Sequence, residues 1–113
     1  MCIRDSLYTG PDGHSHFKAG HVDEHVITAA KQIHFKESPV GASYDWHTAP
    51  SHQFVLTFSG TLEFTINSGD TFTLNAGEVL VAQDVTGSGH TWRLLGNDPW
   101  RRAYVLFLSL IHI

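Results

Sequence analysis

Apolar and polar positions along this chain alternate with the period of strands. Glu63-Phe64-Thr65-Ile66-Asn67 switches polar and apolar at every residue, as a half-buried strand does, and Asp70-Thr71-Phe72-Thr73-Leu74 repeats the pattern. Asn67-Ser68-Gly69-Asp70 between them is a turn signal, so the pair predicts a hairpin. Val79-Leu80-Val81-Ala82 is a short apolar run that follows the turn residues Asn75-Ala76-Gly77. Residues 91–94 and 102–107 predict two further strands, and residues 25–28 and 32–35 two more on the N-terminal side. No stretch combines helical spacing with caps. Short strands separated by Gly, Pro, Asn and Asp predict an all-β sandwich or barrel.

The length of 113 residues predicts one domain with a modest core. A formal charge of −4, with acidic residues dispersed and no basic stripe, argues against nucleic acid as a partner. The apolar run over residues 103–111 is shorter than the roughly 20 residues a spanning helix needs, so no membrane partner is expected. A small molecule is the expected partner.

The two ends bear an odd relation. A DNA string that encodes Met1-Cys2-Ile3-Arg4-Asp5-Ser6 reads, as its reverse complement and with one base added, Leu108-Ser109-Leu110-Ile111-His112-Ile113. That string resembles a transposase mosaic-end sequencing adapter. Residues 1–6 and 108–113 are therefore read as adapter-derived tails around a domain at 7–107, expected to add little to the fold. The only cysteine, Cys2, falls in a tail, which leaves no disulfide or thiol chemistry to the domain. A cytoplasmic setting is favoured, although a missing native N-terminus would hide any signal segment.

Between Gly41 and about Leu94 the chain resembles the cupin superfamily. Its first motif is Gly, five residues, His-x-His, three or four residues, Glu, six residues, Gly. Here Gly41, His47 and Gly60 keep that spacing, whereas Ala49 stands at the second His position and Gln53 at the Glu position. The second motif is matched by Gly77, by Val79-Leu80-Val81-Ala82 and, after a lengthened turn without the proline, by Gly87-Ser88-Gly89-His90. The stretches Trp46-His47-Thr48-Ala49-Pro50 and Gly87-Ser88-Gly89-His90-Thr91-Trp92 are similar to small bacterial cupins with no settled activity. The resemblance implies a single jelly-roll (double-stranded β-helix) barrel and a metal bound at the motif positions.

The residue types bear on that chemistry directly. If the strand is regular, residues 47, 49 and 53 share one face, which a barrel turns inward. His90, from a strand paired elsewhere, then faces His47 across the interior with Gln53 in reach of the same point. Two imidazoles and an amide oxygen suit a divalent Zn, Fe, Ni or Mn ion. Ala49 and Gln53 each weaken such a site, and Ala49 leaves a gap beside it. Trp46 and Trp92 flank the histidines and supply either packing or a stacking wall for a planar or sugar-like ligand. His52 has the opposite parity to Gln53 and is expected outside. His14 and His16 are expected in a solvated loop, His21, His25 and His34 on the surface, and Asp84 as a cap of its own turn.

Three functions fit these residues. The first is a metal-assisted oxygenase, isomerase or lyase acting on a small polar molecule through His47, Gln53 and His90. The second is a binding or sensor module without turnover. The third is a metal-free enzyme with His47 or His90 as general base. Phe54, Phe58 and Phe64 exceed what one narrow barrel can bury, which predicts a two-fold homodimer.

Overall fold

The computed structural model describes residues 2–21 and 29–107, with side chains defined for 6–20 and 29–107. The described residues form ten strands: β1 (Cys2–Thr9), β2 (Ser15–His21), β3 (Ala30–Ser38), β4 (Ser43–His47), β5 (Gln53–Ser59), β6 (Thr61–Ile66), β7 (Thr71–Leu74), β8 (Val79–Gln83), β9 (His90–Leu95) and β10 (Trp100–Phe107). They make two sheets, a six-stranded one in the order β2-β1-β8-β5-β10-β3 and a four-stranded one in the order β4-β9-β6-β7. The all-β expectation holds, and none of the described residues is helical.

The predicted hairpin is β6–β7, with Phe64 opposite Phe72 and Gly69 at φ 90° in its turn. Alternation decides which side chains enter the core. Leu62, Phe64 and Ile66 of β6 point inward, as do Phe72 and Leu74 of β7, Trp92 and Leu94 of β9, and Val55 of β5. The Phe64 and Phe72 rings stack with centroids 4.9 Å apart. Truncating a fully buried leucine such as Leu62 or Leu74 to alanine is expected to cost about 2–5 kcal/mol. β8 is buried at all five positions because both its faces are covered: Leu80 packs in the main core, and Val79 and Val81 pack with Phe107, Phe54 and Leu56. That explains why its sequence reads as an unbroken apolar run rather than an alternation.

Two expectations need correction. Residues 47, 49 and 53 do not lie on one regular strand: β4 ends at His47 and β5 begins at Gln53. Residues 48–52, with Pro50 among them, carry the chain from the smaller sheet to the larger one. Proline cannot donate to a ladder, so a strand breaks there readily.

The first strand was also not anticipated. β1 runs parallel to β8 and antiparallel to β2, so His14 lies in the turn between them but His16 is on β2. Moreover, β1 starts at Cys2. Residues 2–6 continue the strand, with Ile3 opposite Val79, Ser6 opposite Val81 and the Ser6 side chain buried. Backbone pairing to a sheet edge is largely indifferent to side chains, so a segment of any origin can prolong a strand already set by Leu7 to Thr9. The expected strand over residues 25–28 and the tail at 108–113 lie outside the described residues.

Candidate functional site

His47 and His90 are direct cross-strand partners in the β4–β9 register. They do not face each other across the interior as expected. They stand side by side in one sheet, with ring centroids 4.5 Å apart and planes inclined by 60°. The local reason is Gly89, at φ 73°. A side chain there would collide with the backbone carbonyl of His47, so only glycine lets the turn before His90 close so tightly against β4.

The two rings are held differently. His90 is 4 % exposed, and its Nδ1 lies 2.6 Å from Oδ2 of Asp84, which is 0 % exposed. The same carboxylate oxygen accepts a hydrogen bond from the Ser15 hydroxyl at 2.7 Å. Asp84 is therefore no cap of its own turn; it continues the inward parity of Leu80 and Ala82 past the end of β8. Ser15 donates to the carboxylate rather than to the imidazole, so the trio is not a nucleophile–base relay. His47 is half-buried and its Nδ1–H donates to the carbonyl of Asp45 at 2.7 Å. Burial holds its pKa below the ordinary imidazole value, as does the nearby His90, against the opposing pull of the Asp45 carbonyl and Asp84. In both rings Nδ1 is engaged, which leaves Nε2 as the nitrogen for a ligand.

Gln53, at the start of β5, is buried and lines the same cavity of about 200 Å³ as His47, Ala49 and His90. The crossing at 48–52 thus achieves between two sheets what a single strand was expected to do. Trp92 lines the cavity, packed edge-on against Trp100 at 4.8 Å. Trp46 does not: it is 51 % exposed and absent from the lining. The β4 register shifts between Tyr44 and His47, a bulge that brings both to the cavity, and the wall expected from Trp46 comes instead from Tyr44, whose ring is 4.3 Å from His47.

Five further lining residues escaped the sequence reading. His34, expected on the surface, is exposed yet lies at the cavity, stacked on Tyr104 at 4.8 Å. Lys36 follows it two positions along β3. Trp100, Arg102 and Tyr104 share one face of β10, so parity in the predicted strand already pointed Arg102 and Tyr104 the same way. His52 is partly buried outside the cavity, against Phe107, and His16 pairs with Asp12.

Among the described residues no group of three or more His, Cys, Asp or Glu side chains is gathered to hold a metal ion. Asp84, the carboxylate nearest the histidines, is turned behind His90 and is not part of the lining. What remains is two imidazoles and one neutral amide, and Ala49 stands where the cupin pattern has an imidazole. That donor set falls short of a firmly held transition metal, which takes three or four strong ligands.

No protein-family model and no curated protein matches the chain. Among solved structures it is similar to the cupin domain of Cnp3 from Schizosaccharomyces pombe, with a TM-score of 0.54 and 18 % sequence identity over 84 % of this chain and 73 % of that one. It is also similar to the conserved protein SPY1581 of unknown function from Streptococcus pyogenes, with a TM-score of 0.48 and 20 % identity over 70 % of this chain, which spans 65 % of that protein. Protein NMB1881 from Neisseria meningitidis gives a TM-score of 0.48 and 15 % identity over 77 % of this chain and 88 % of that one. At these identities the likeness is one of fold. The chain has the fold of a small cupin, a single jelly-roll barrel of two sheets.

Proposed function

We propose that this barrel binds a small polar molecule in its cavity without a resident metal, and that His90, backed by Asp84, is the group that exchanges a proton with the bound molecule. The observation that carries this reading is the buried 2.6 Å contact between Asp84 and His90. A carboxylate on Nδ1–H fixes the tautomer and ring orientation and leaves Nε2 as the nitrogen that meets the ligand. The same support would serve a metal-bound histidine, but Ala49 and the neutral Gln53 leave His47 and His90 without a third strong donor. Proton transfer needs only a positioned base within hydrogen-bond reach of its substrate. The half-buried His47 beside it suits a second, more accessible polar contact.

Elemental analysis of purified protein tests this. Metal well below one equivalent per chain, and ligand binding that survives chelation, is the expected result. One tightly held equivalent of Zn, Fe, Ni or Mn would overturn it in favour of metal-assisted chemistry at His47, Gln53 and His90.

A further inference from the structure

We propose that the cavity is a carboxylate site: Arg102 binds the acid group of a small, flat carboxylic acid whose body lies along Trp92, Trp100 and Tyr104. This inference rests on the reading of the cavity as a small-molecule site and adds the charge and shape of the ligand.

Arg102 is 2 % exposed. A buried guanidinium is normally matched by a carboxylate, because an unpaired buried charge is costly. Among the described residues none of the ion pairs includes Arg102; the arginines that do pair are Arg93 with Glu63 and Arg101 with Glu37, both on the surface. Its hydrogen bonds go to neutral acceptors only. Nε donates to the Tyr104 hydroxyl at 2.9 Å, and Nη1 donates to the Ser38 hydroxyl at 2.8 Å and to the Trp100 carbonyl at 3.1 Å. The guanidinium carbon lies 3.7 Å from the Trp100 ring centre, 5.5 Å from that of Tyr104 and 5.9 Å from that of Trp92. These contacts fix the plane of the fork without a countercharge among the described residues, and none of these bonds uses Nη2.

The rest of the lining adds one cation and three imidazoles able to donate to an anion. It includes Lys36, His34, His47 and His90, and it contains no aspartate or glutamate. A cavity that gathers cationic and imidazole groups and excludes acids is complementary to an anion. The shape narrows the choice. A held, planar guanidinium matches the two oxygens of a carboxylate, and aromatic walls favour a flat, apolar body. Phosphate sites commonly combine several backbone N–H groups at a helix N-terminus or glycine loop, and the described residues include no helix. A cavity of about 200 Å³ fits a small acid rather than a nucleotide or a polymer.

The test is a titration of the intact chain with benzoate, benzamide and inorganic phosphate, followed by tryptophan fluorescence, since Trp92 and Trp100 line the cavity. Benzoate should give a saturable change, with benzamide and phosphate at least tenfold weaker. Arg102→Gln should weaken benzoate at least tenfold and remove its advantage over benzamide. Should circular dichroism find Arg102→Gln unfolded, Arg102→Lys takes its place: it keeps the charge, loses the fork and should still weaken benzoate severalfold. Benzamide binding as tightly as benzoate would overturn the carboxylate while leaving the cavity reading intact. Phosphate outcompeting benzoate, no saturable response to benzoate, or benzoate affinity untouched by both variants would also overturn it. Metal content is measured separately, so failure of the metal-free reading is seen independently of failure here.

Discussion

His47 and His90 lie 4.5 Å apart, yet they belong to two differently built regions. His90 begins β9, an inner strand paired with β4 and β6, and its ring is tied through Asp84, just past β8, to Ser15 on β2. His47 ends β4, an edge strand of the smaller sheet that is exposed at every position before it. β3, which ends the larger sheet, is likewise exposed at eight of its nine positions. One side of the cavity is scaffold and the other is rim. A group that must hold a fixed orientation belongs on the scaffold, and a group that adapts to an entering ligand belongs on the rim.

The sharpest way to break that contrast is to remove Asp84. Asp84→Ala leaves the His90 Nδ1–H and the Ser15 hydroxyl without their shared acceptor inside the fold. We expect a loss of about 3 kcal/mol, in the range for removing one partner of a buried pair, measured by urea denaturation. The same exchange at His47, on the rim, should cost less than about 1 kcal/mol. Equal losses at the two positions would abolish the distinction between scaffold and rim.

The exposed edge carries the next expectation. Phe35 is 73 % exposed, and Ile33 lies on the same face of β3. Of the three phenylalanines first suspected of overfilling the barrel, Phe64 is buried, Phe54 partly buried and Phe58 exposed. Apolar side chains on a strand with an unpaired edge favour a homodimer that covers them. Light scattering at high protein concentration should report a dimer, and Phe35→Glu should shift it toward monomer. A monomer in both would leave this face as bare rim.

A smaller effect separates the histidines by pH. Burial lowers the His47 pKa, so the unfolded chain takes up a proton there at a higher pH than the folded one. His47 therefore adds stability above about pH 6.5, and that contribution is lost as the pH falls from there through the lowered folded value. His90, Asp84 and the Asp45 carbonyl all act on this ring, so the readout should be its own imidazole resonance by NMR. A midpoint at or above about 6.5 would contradict the burial argument.

The strands on the smaller sheet were legible because each has one face in the core and one in solvent: β6, β7 and β9 alternate cleanly. β3 was partly legible, and β1 and β2 were not. Ser15-His16-Phe17-Lys18-Ala19-Gly20 alternates, but its glycine, histidine and small residues resemble a loop. In the site, spacing to the glycines found His47, Gln53 and His90. It missed Asp84 and Arg102 because a buried charge in a strand or turn looks the same in sequence as an exposed one. What distinguishes them is parity against neighbours already assigned to the core: Leu80 and Ala82 for Asp84, Trp100 for Arg102. Parity also misled, since it assumed that the strand continued through Pro50.

The smallest expected effect concerns the first residues, where fold and sequence origin pull in different directions. The adapter-like relation between the two ends suggests that the domain is sound without them. β1 nevertheless begins at Cys2 and lies along β8, one of the most buried strands. The pairing itself weighs these claims. From Ser6 onward β1 is in regular register with both neighbours, whereas its register shifts between Ile3 and Asp5 against β8 and between Ile3 and Ser6 against β2. Leu7 to Thr9 and the returning β2 therefore suffice to hold the hairpin. Deleting residues 1–5 and 108–113 should lower Tm by only a few degrees, about what loss of roughly 1 kcal/mol produces in a domain of this size. Calorimetry checks this directly. A fall of more than about 10 °C would exceed that scale and mean that the irregular start of β1 is needed to cover β8.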